Sequence, residues 1–271
     1  VPTLDKDTKL CISLAGRPSN LGTRFHNFLY DELGLNFAYK AFTTDDIEGA
    51  IRGVRALGIR GCSVSMPFKE AVIPLVDEIE SSAAVIESVN TIVNANGHLV
   101  GANTDYEAIA TLIVDNHLDF RLPVVVRGSG GMAKAVVAAL RDHHFEDVTI
   151  LARNPALGPE LADRYGYRWT PDEPAPGAAQ VLINVTPLGM QGPDSEALSF
   201  PTDLIEAASV VFDVVAFPAE TPLIRSAREL NKTVISGADV HTNQAARQFE
   251  RYTGVSITRE QVARAAEFSR R

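Results

Sequence analysis

Pro123-Val124-Val125-Val126-Arg127-Gly128-Ser129-Gly130-Gly131-Met132-Ala133, running on into Lys134-Ala135-Val136-Val137-Ala138-Ala139-Leu140, is the stretch on which the fold turns. Its valines read as a parallel strand buried on both faces, because helices over both sides leave no polar face. The strand breaks at Gly128-Ser129-Gly130-Gly131-Met132-Ala133, which matches the pattern G-x-G-x-x-A, and an Ala- and Val-rich helix follows from about Met132 to Leu140. In such a turn the first glycine permits the bend and the second lets the backbone approach a pyrophosphate. The small Ala133 keeps helix and strand close, and the helix N-terminus faces the anion. A glycine-rich turn alone could be free of ligand; between a strand and a helix it points to dinucleotide binding.

The surrounding composition fits an α/β protein of two domains. The 271 residues suffice for two units of ordinary size. A chain 45% hydrophobic and 22% charged reads as a soluble globular protein. No apolar run reaches the length of a membrane span, and Val1–Leu10 lacks the apolar core of a signal peptide, so a cytoplasmic protein is expected. Cys11 and Cys62, in strand-like apolar surroundings, read as buried packing residues in a reducing compartment. A net charge of −9 argues against nucleic acid as a partner but not against a small anion, which needs only local positive charge.

Read in order, the chain predicts a strand over Lys9–Leu14, broken by Gly16-Arg17-Pro18-Ser19-Asn20, then a helix from about Thr23 to Leu33 with Thr23 as N-cap. A second strand spans Asn36–Phe42. Thr43-Thr44-Asp45-Asp46 caps a helix carrying Ile47, Ile51, Val54 and Leu57 at helical spacing. Strand Ile59–Val64 leads into Ser65-Met66-Pro67-Phe68-Lys69, with Pro67 in the first turn of a helix reaching Val76. Asn96-Gly97 reads as a hairpin turn between Ser88–Val93 and His98–Ala102. Asn103-Thr104-Asp105 then opens a helix through Ile109 and Leu112. Beyond the glycine loop the alternation continues through strands Val148–Leu151, Val181–Asn184, Val210–Val215 and Thr233–Ile235, with helices near Pro159–Tyr165 and Thr221–Leu230. Thr170–Gly177 reads as a surface loop, and helices Asp239–Tyr252 and Thr258–Arg270 close the chain. The layout suggests a discontinuous first domain, residues 1–104 plus 238–271, with a nucleotide domain, residues 105–237, inserted.

Candidate chemistry sits at three places. The strand after the first βα unit ends Leu151-Ala152-Arg153-Asn154, without the acid that would bond a ribose 2′-hydroxyl. Arg153 there favours NADP over NAD, the alternative being a solvated surface arginine. Lys69 could be a surface charge, and Asp105 could be a helix N-terminal acid facing the macrodipole. Converging on a cleft they would make a proton-transfer pair; periodicity leaves open whether they meet. No metal is expected, since the six histidines show neither H-x-x-x-H nor Cys/His ligand spacing. His26 reads as structural, and no G-x-S-x-G element is present.

Together these motifs resemble the shikimate/quinate dehydrogenase family over nearly the whole chain. The loop GSGGMA, Arg153, and Asn184-Val185-Thr186-Pro187-Leu188-Gly189-Met190 are similar to its nucleotide domain. Ser63–Lys69 resembles its NVTxPxK segment, Val89-Asn90-Thr91 its VNT element, Asn103-Thr104-Asp105 its NTD element, and Gln244–Phe249 its C-terminal helix. The resemblance implies a Rossmann-type nucleotide domain beside a substrate domain, with a cleft that closes to align two substrates. It implies reversible NADP-dependent oxidation of the shikimate 3-hydroxyl to a ketone, NAD serving less well. Lys69 and Asp105 would then handle the hydroxyl proton, and Ser65, Asn90 and Gln244 would bind substrate oxygens. Gly128, Ser129, Gly130, Gly131, Met132, Ala133, Arg153, Asn154, Thr186, Val214 and Gly237 would line the cofactor. The partner expected is a small cyclic hydroxy acid, on a monomer or homodimer.

The departures from that pattern are specific. Where the family has an S-x-S pair holding the substrate carboxylate, this chain has Gly16-Arg17-Pro18-Ser19-Asn20-Leu21-Gly22-Thr23-Arg24, leaving Ser19 and Thr23 as the hydroxyls able to substitute. Ala216 stands where a substrate-binding Tyr is common, and the basic residue often found three or four positions after Arg153 is missing. These changes resemble the shikimate dehydrogenase-like branch. They imply weak activity on shikimate, with quinate, aminoshikimate or another cyclic hydroxy acid as alternatives, or an NADP-binding module without catalysis.

Overall fold

The alternation of strand and helix builds two separate six-stranded sheets. The computed structural model describes residues 4–271; Val1, Pro2 and Thr3, where the stretch read for a leader and the first expected domain begin, lie outside the described residues. Packing divides the chain into one unit of residues 4–107 and 242–271 and another of residues 108–241.

The first unit runs β1 (Lys9–Ala15), α1 (Leu21–Glu32), β2 (Phe37–Thr43), α2 (Ile47–Ala56), β3 (Gly61–Val64), β4 (Glu78–Ile79), α3 (Ser81–Ala84), β5 (Thr91–Ala95) and β6 (His98–Ala102), then enters α4 (Thr104–Asp115). Its sheet has the order β2-β1-β3-β5-β6-β4, parallel at β1–β2 and β1–β3 and antiparallel through β3–β5–β6. Side chains alternate across it. Ile12, Leu14, Cys62 and Val64 join Ile51, Val54 and Leu99 on one face. Cys11 and Tyr39 join Phe25, Tyr30, Phe249 and Tyr252 on the other. The two thiols therefore bury in different clusters, as packing residues, and burial pushes the Cys11 thiol up to about 12. His26 is fully buried on the aromatic side, its ring stacked on Tyr39 with centroids 4.4 Å apart.

Several local readings match the structure. Asp46 caps α2, its Oδ1 accepting from the Gly49 amide at 2.7 Å. Asn96 (φ 56°) and Gly97 (φ 93°) form the hairpin turn between β5 and β6. Two readings need correction. Thr23 is not the N-cap of α1: that helix starts at Leu21, Arg24 donates to the Asn20 carbonyl at 2.9 Å, and the Thr23 Oγ1 is buried with no hydrogen-bond partner. Nor does a helix run from Pro67 to Val76, where turns lead to one short 3-10 turn at Ile73–Leu75. Pro67 and Pro74 donate no hydrogen bond. The Lys69 carbonyl accepts from the Val89 amide at 2.9 Å, and the Ile73 amide donates instead to Glu70.

The second unit holds the rest of α4, then β7 (Val124–Arg127), α5 (Gly131–Asp142), β8 (Val148–Leu151), α6 (Leu157–Tyr165), β9 (Arg168–Thr170), β10 (Val181–Asn184), α7 (Thr202–Ala207), β11 (Val210–Asp213), α8 (Pro222–Glu229) and β12 (Thr233–Ile235). The chain re-enters the first unit along α9 (Gly237–Thr253) and ends with α10 (Arg259–Ser269). The sheet is wholly parallel with order β12-β11-β10-β7-β8-β9. Counted from β7 this is the doubly wound 3-2-1-4-5-6 arrangement, whose switch point lies between β7 and β10. Val125, Leu151, Leu182 and Val211 form one face against Phe200, Leu204 and Leu223, while α5 buries Ala133 and every residue from Ala135 to Leu140. β9 and α7 were not expected from the sequence. β11 stops at Asp213, short of the predicted Val215, because the Val215 amide donates to the Asp213 carboxylate. Among the described residues no helix is long and apolar enough to cross a membrane.

Candidate active site

In the first unit, the turn after β3 and the first turn of α4 place Lys69 against Asp105, with Nζ to Oδ2 at 2.6 Å. The two side chains are 26% and 14% exposed, so the pair is shielded without being sealed from solvent. Hydrogen bonds fix both ends: Lys69 is pinned by its carbonyl to the Val89 amide, and Asn103 caps α4, its Oδ1 accepting from the Tyr106 amide at 3.0 Å. Each residue of Asn103-Thr104-Asp105 therefore does a separate job.

Thr104 ties that turn to Asn90. The Asn90 Oδ1 accepts from the Thr104 amide at 2.8 Å, the Thr104 hydroxyl at 3.1 Å and the Thr91 hydroxyl at 2.7 Å. Its acceptor is thus committed internally, and among the described residues its Nδ2 carries no hydrogen bond, leaving an amide donor for a ligand. Gln244 on α9 reaches the same cluster, 3.4 Å from the Thr104 hydroxyl. The fully buried Gln248, one helical turn on, donates to Thr91 Oγ1 at 3.0 Å and Ser63 Oγ at 3.2 Å. Ser65 is exposed beyond β3, its amide bonded to Leu14. Ser19 is exposed and accepts weakly from the Leu21 amide at 3.4 Å.

In the second unit the glycine loop lies at the switch point. Gly128 has φ +118°, and a Cβ there would come within 2.9 Å of Val185 and 3.0 Å of Thr186, so the tight approach of the two loops needs glycine. Cβ atoms at Gly130 and Gly131 would meet nothing within 4 Å, which leaves that backbone open to a ligand. Among the described residues the amides of Ser129, Gly130, Gly131 and Met132 donate to no protein group. These orphan donors at the start of α5 suit a pyrophosphate. A cavity of about 700 Å³ beside them is lined by Gly128, Ser129, Arg153, Asn154 and Thr186, and also by Arg127 and Glu173. Arg153 makes no ion pair or hydrogen bond among the described residues. The Asn154 Oδ1 accepts from Ala156 and Leu157 amides, shaping the turn into α6. Ala133 is buried under the loop. Val214 and Gly237 pack on each other's backbone, where a Cβ on Gly237 would lie 2.2 Å from Val215 and 2.6 Å from Val214.

Beneath the Thr186 turn is a fully buried carboxylate. Asp213 Oδ1 accepts from Asn184 Nδ2 at 3.0 Å and the Val215 amide at 3.1 Å, and Oδ2 accepts from the Thr221 hydroxyl at 2.6 Å. Asn184 Oδ1 in turn accepts from the Thr186 amide and hydroxyl at 3.1 and 2.6 Å. Burial pushes Asp213 up to about 6 despite these three donors. Among the described residues no group of three His, Cys, Asp or Glu side chains could hold a metal ion.

The family described as the shikimate dehydrogenase substrate binding domain matches residues 19–92. A shikimate dehydrogenase-like protein of Haemophilus influenzae is 58% identical over 268 residues, covering 98% of both chains. This chain belongs to the shikimate dehydrogenase-like family. The solved structure of a shikimate 5-dehydrogenase-like protein matches the fold with a TM-score of 0.96 at 57% identity, over 99% of this chain and all of that one. The shikimate 5-dehydrogenase of Thermus thermophilus, solved with NADP(H) and shikimate, matches with a TM-score of 0.86 at 28% identity, over 96% and 99% of the two chains. The fold expected from the resemblance, a Rossmann-type domain with a substrate-binding domain, is the fold of these family members.

Sequence reasoning missed several polar residues of these clusters: Thr91 and Gln248 around Asn90, and Arg127 and Glu173 in the cavity beside the glycine loop. Arg127 was visible as a charge closing an all-valine strand next to the glycine loop. Glu173, inside a Pro-rich stretch, carried no such signal.

Proposed function

We propose that this chain is an NADP-dependent oxidoreductase that interconverts shikimate and 3-dehydroshikimate, with weak activity on shikimate. The observation that carries this reading is the 2.6 Å pairing of Lys69 Nζ with Asp105 Oδ2, next to the Asn90–Thr104–Gln244 cluster. Oxidising a secondary hydroxyl removes a proton from oxygen and a hydride from carbon. Bound NADP supplies the hydride acceptor. Lys69 exchanges the hydroxyl proton at Nζ, and Asp105 holds the Lys69 side chain in place through one of its hydrogens. Asn90 offers its Nδ2 to a substrate oxygen. The residues present fit the cofactor: orphan amides of Ser129–Met132 for the pyrophosphate, and the uncommitted Arg153 for a 2′-phosphate.

Arg153→Ala tests the cofactor directly. It should weaken NADP binding by roughly 1.5–3 kcal/mol, the worth of a bond to a charged group, and leave NAD nearly unchanged in a titration. Equal losses for both cofactors would remove Arg153 from the phosphate site.

The substrate reading rests on the missing S-x-S pair and on Ala216. Lost partners for a bound carboxylate and hydroxyl should lower kcat/KM for shikimate by roughly 10²–10³ relative to a dedicated biosynthetic enzyme, equivalent to ~3–4 kcal/mol. Ala216→Tyr should restore part of that, and Thr23→Ala should remove more than Ser19→Ala. A spectrophotometric screen of ring hydroxy acids with NADP and NAD decides the matter. Fast turnover of quinate, aminoshikimate or another cyclic acid, with shikimate inert, transfers the same chemistry to that substrate. NADP binding without turnover of any of them identifies a binding module.

A further inference from the structure

We propose that Arg127 and Glu173 form an internally neutralised pair that sets the preference for a 2′-phosphate, with Arg127 as a second cation for that phosphate and Glu173 as its resident counter-ion. The inference rests on the nucleotide reading above and adds two residues to it. Arg127 ends β7, immediately before Gly128, where the strand's preceding valines are fully buried. Its side chain is 16% exposed, its guanidinium stands 4.8 Å over the Phe200 ring, and its Nη2 is hydrogen-bonded to Glu173 Oε1. The Nε is buried and has no hydrogen-bond partner. An arginine held at a cavity wall by one carboxylate and a ring face has further guanidinium donors to offer a second acceptor.

Position decides what that is. Arg127, Glu173 and Arg153 line the same cavity as Gly128 and Ser129. A guanidinium offers its donors in a planar fork that matches phosphate oxygens. Asn154, Pro155, Ala156 and Leu157 follow Arg153 and none of them is basic, whereas Arg127 brings a cation to the cavity from the neighbouring strand. Glu173 belongs to the turn after β9 and its side chain is 45% exposed, so it can swing into water when a phosphate takes its place. While it stays, its charge opposes the incoming dianion. Arg127 and Glu173 therefore push the discrimination between phosphorylated and unphosphorylated ribose in opposite directions.

The test uses adenosine 2′,5′-bisphosphate and AMP, which differ only in the 2′-phosphate, titrated calorimetrically into the full chain without substrate. Arg127→Met keeps a long unbranched side chain without the cation and should weaken the bisphosphate by about 10- to 100-fold, leaving AMP within about twofold. Glu173→Gln, at an exposed position that does not threaten folding, should tighten the bisphosphate by about 3- to 10-fold, an effect that shrinks as salt is raised. Parallel losses of both nucleotides in Arg127→Met, or an unchanged ratio in Glu173→Gln, would overturn the inference while the nucleotide site stands. Failure of the wild-type chain to bind either nucleotide would overturn both readings. If Arg127→Met does not fold, the Glu173→Gln ratio alone decides.

Discussion

Lys69→Met should lower kcat on the accepted ring substrate by about 10²–10⁴-fold, the range expected when a positioned proton-transfer group is removed. Methionine keeps much of the bulk and loses only the charged, proton-carrying end. NADP affinity, measured by titration, should not move, because the cavity proposed for the nucleotide is lined by residues of the second unit alone. Removing one member of a pair whose side chains are 26% and 14% exposed also leaves Asp105 without its partner. That should destabilise the protein by about 1–3 kcal/mol, so folding is checked by circular dichroism before rates are compared. Asp105→Asn should depress kcat as well, since the amide no longer attracts the ammonium. If the pair acts as one device, Lys69→Met combined with Asp105→Asn should cost no more than the two losses added, and close to the worse single variant. Near-normal kcat in Lys69→Met would sink the assignment of Lys69.

What could be read from the chain beforehand follows how local each signal is. Gly128-Ser129-Gly130-Gly131-Met132-Ala133 marked β7 and α5 because strand, turn and helix signals are contiguous there. The Asn96-Gly97 turn and the Asp46 cap were legible for the same reason: the residues that need left-handed backbone or a capping oxygen sit at the spot. The segment after Pro67 was misread because its outcome is decided by a distant strand, with Val89 taking the Lys69 carbonyl that a helix would have used. Similarly, no periodicity links Lys69 to Asp105, Asn184 to Asp213 or Arg127 to Glu173. Hydrophobic alternation says which face of an element is buried; it does not say which polar groups meet at the ends of strands. β9, three residues long, lies below the length at which alternation is visible.

Asp213→Ala should destabilise the second unit by about 3–5 kcal/mol at pH 6, because it leaves the Asn184 amide, the Val215 amide and the Thr221 hydroxyl without their shared acceptor in a dry interior. The pH dependence distinguishes the carboxylate from a merely well-packed residue. Burial raises Asp213 from the ordinary aspartate value of 3.8 to about 6. Below the lower value both folded and unfolded chains carry the proton, and this group's stabilisation is fully present. Between the two the folded chain keeps a proton the unfolded chain has lost. As pH rises through about 6, the folded chain must bury a charge and the stabilisation disappears. From pH 8 down to pH 5 the gain from this one group is about 1.4 kcal/mol. Asp213→Asn keeps an acceptor for Asn184 and Val215 but cannot titrate. Urea unfolding at intervals over that range should therefore show wild type gaining on the Asn variant as the pH falls. Parallel profiles would mean that Asp213 does not change its charge on folding as described. The same network holds Asn184 against the Thr186 turn beside the cavity proposed for the nucleotide. Asp213→Ala should consequently also weaken NADP binding under conditions where the variant remains folded, whereas Asp213→Asn should spare it.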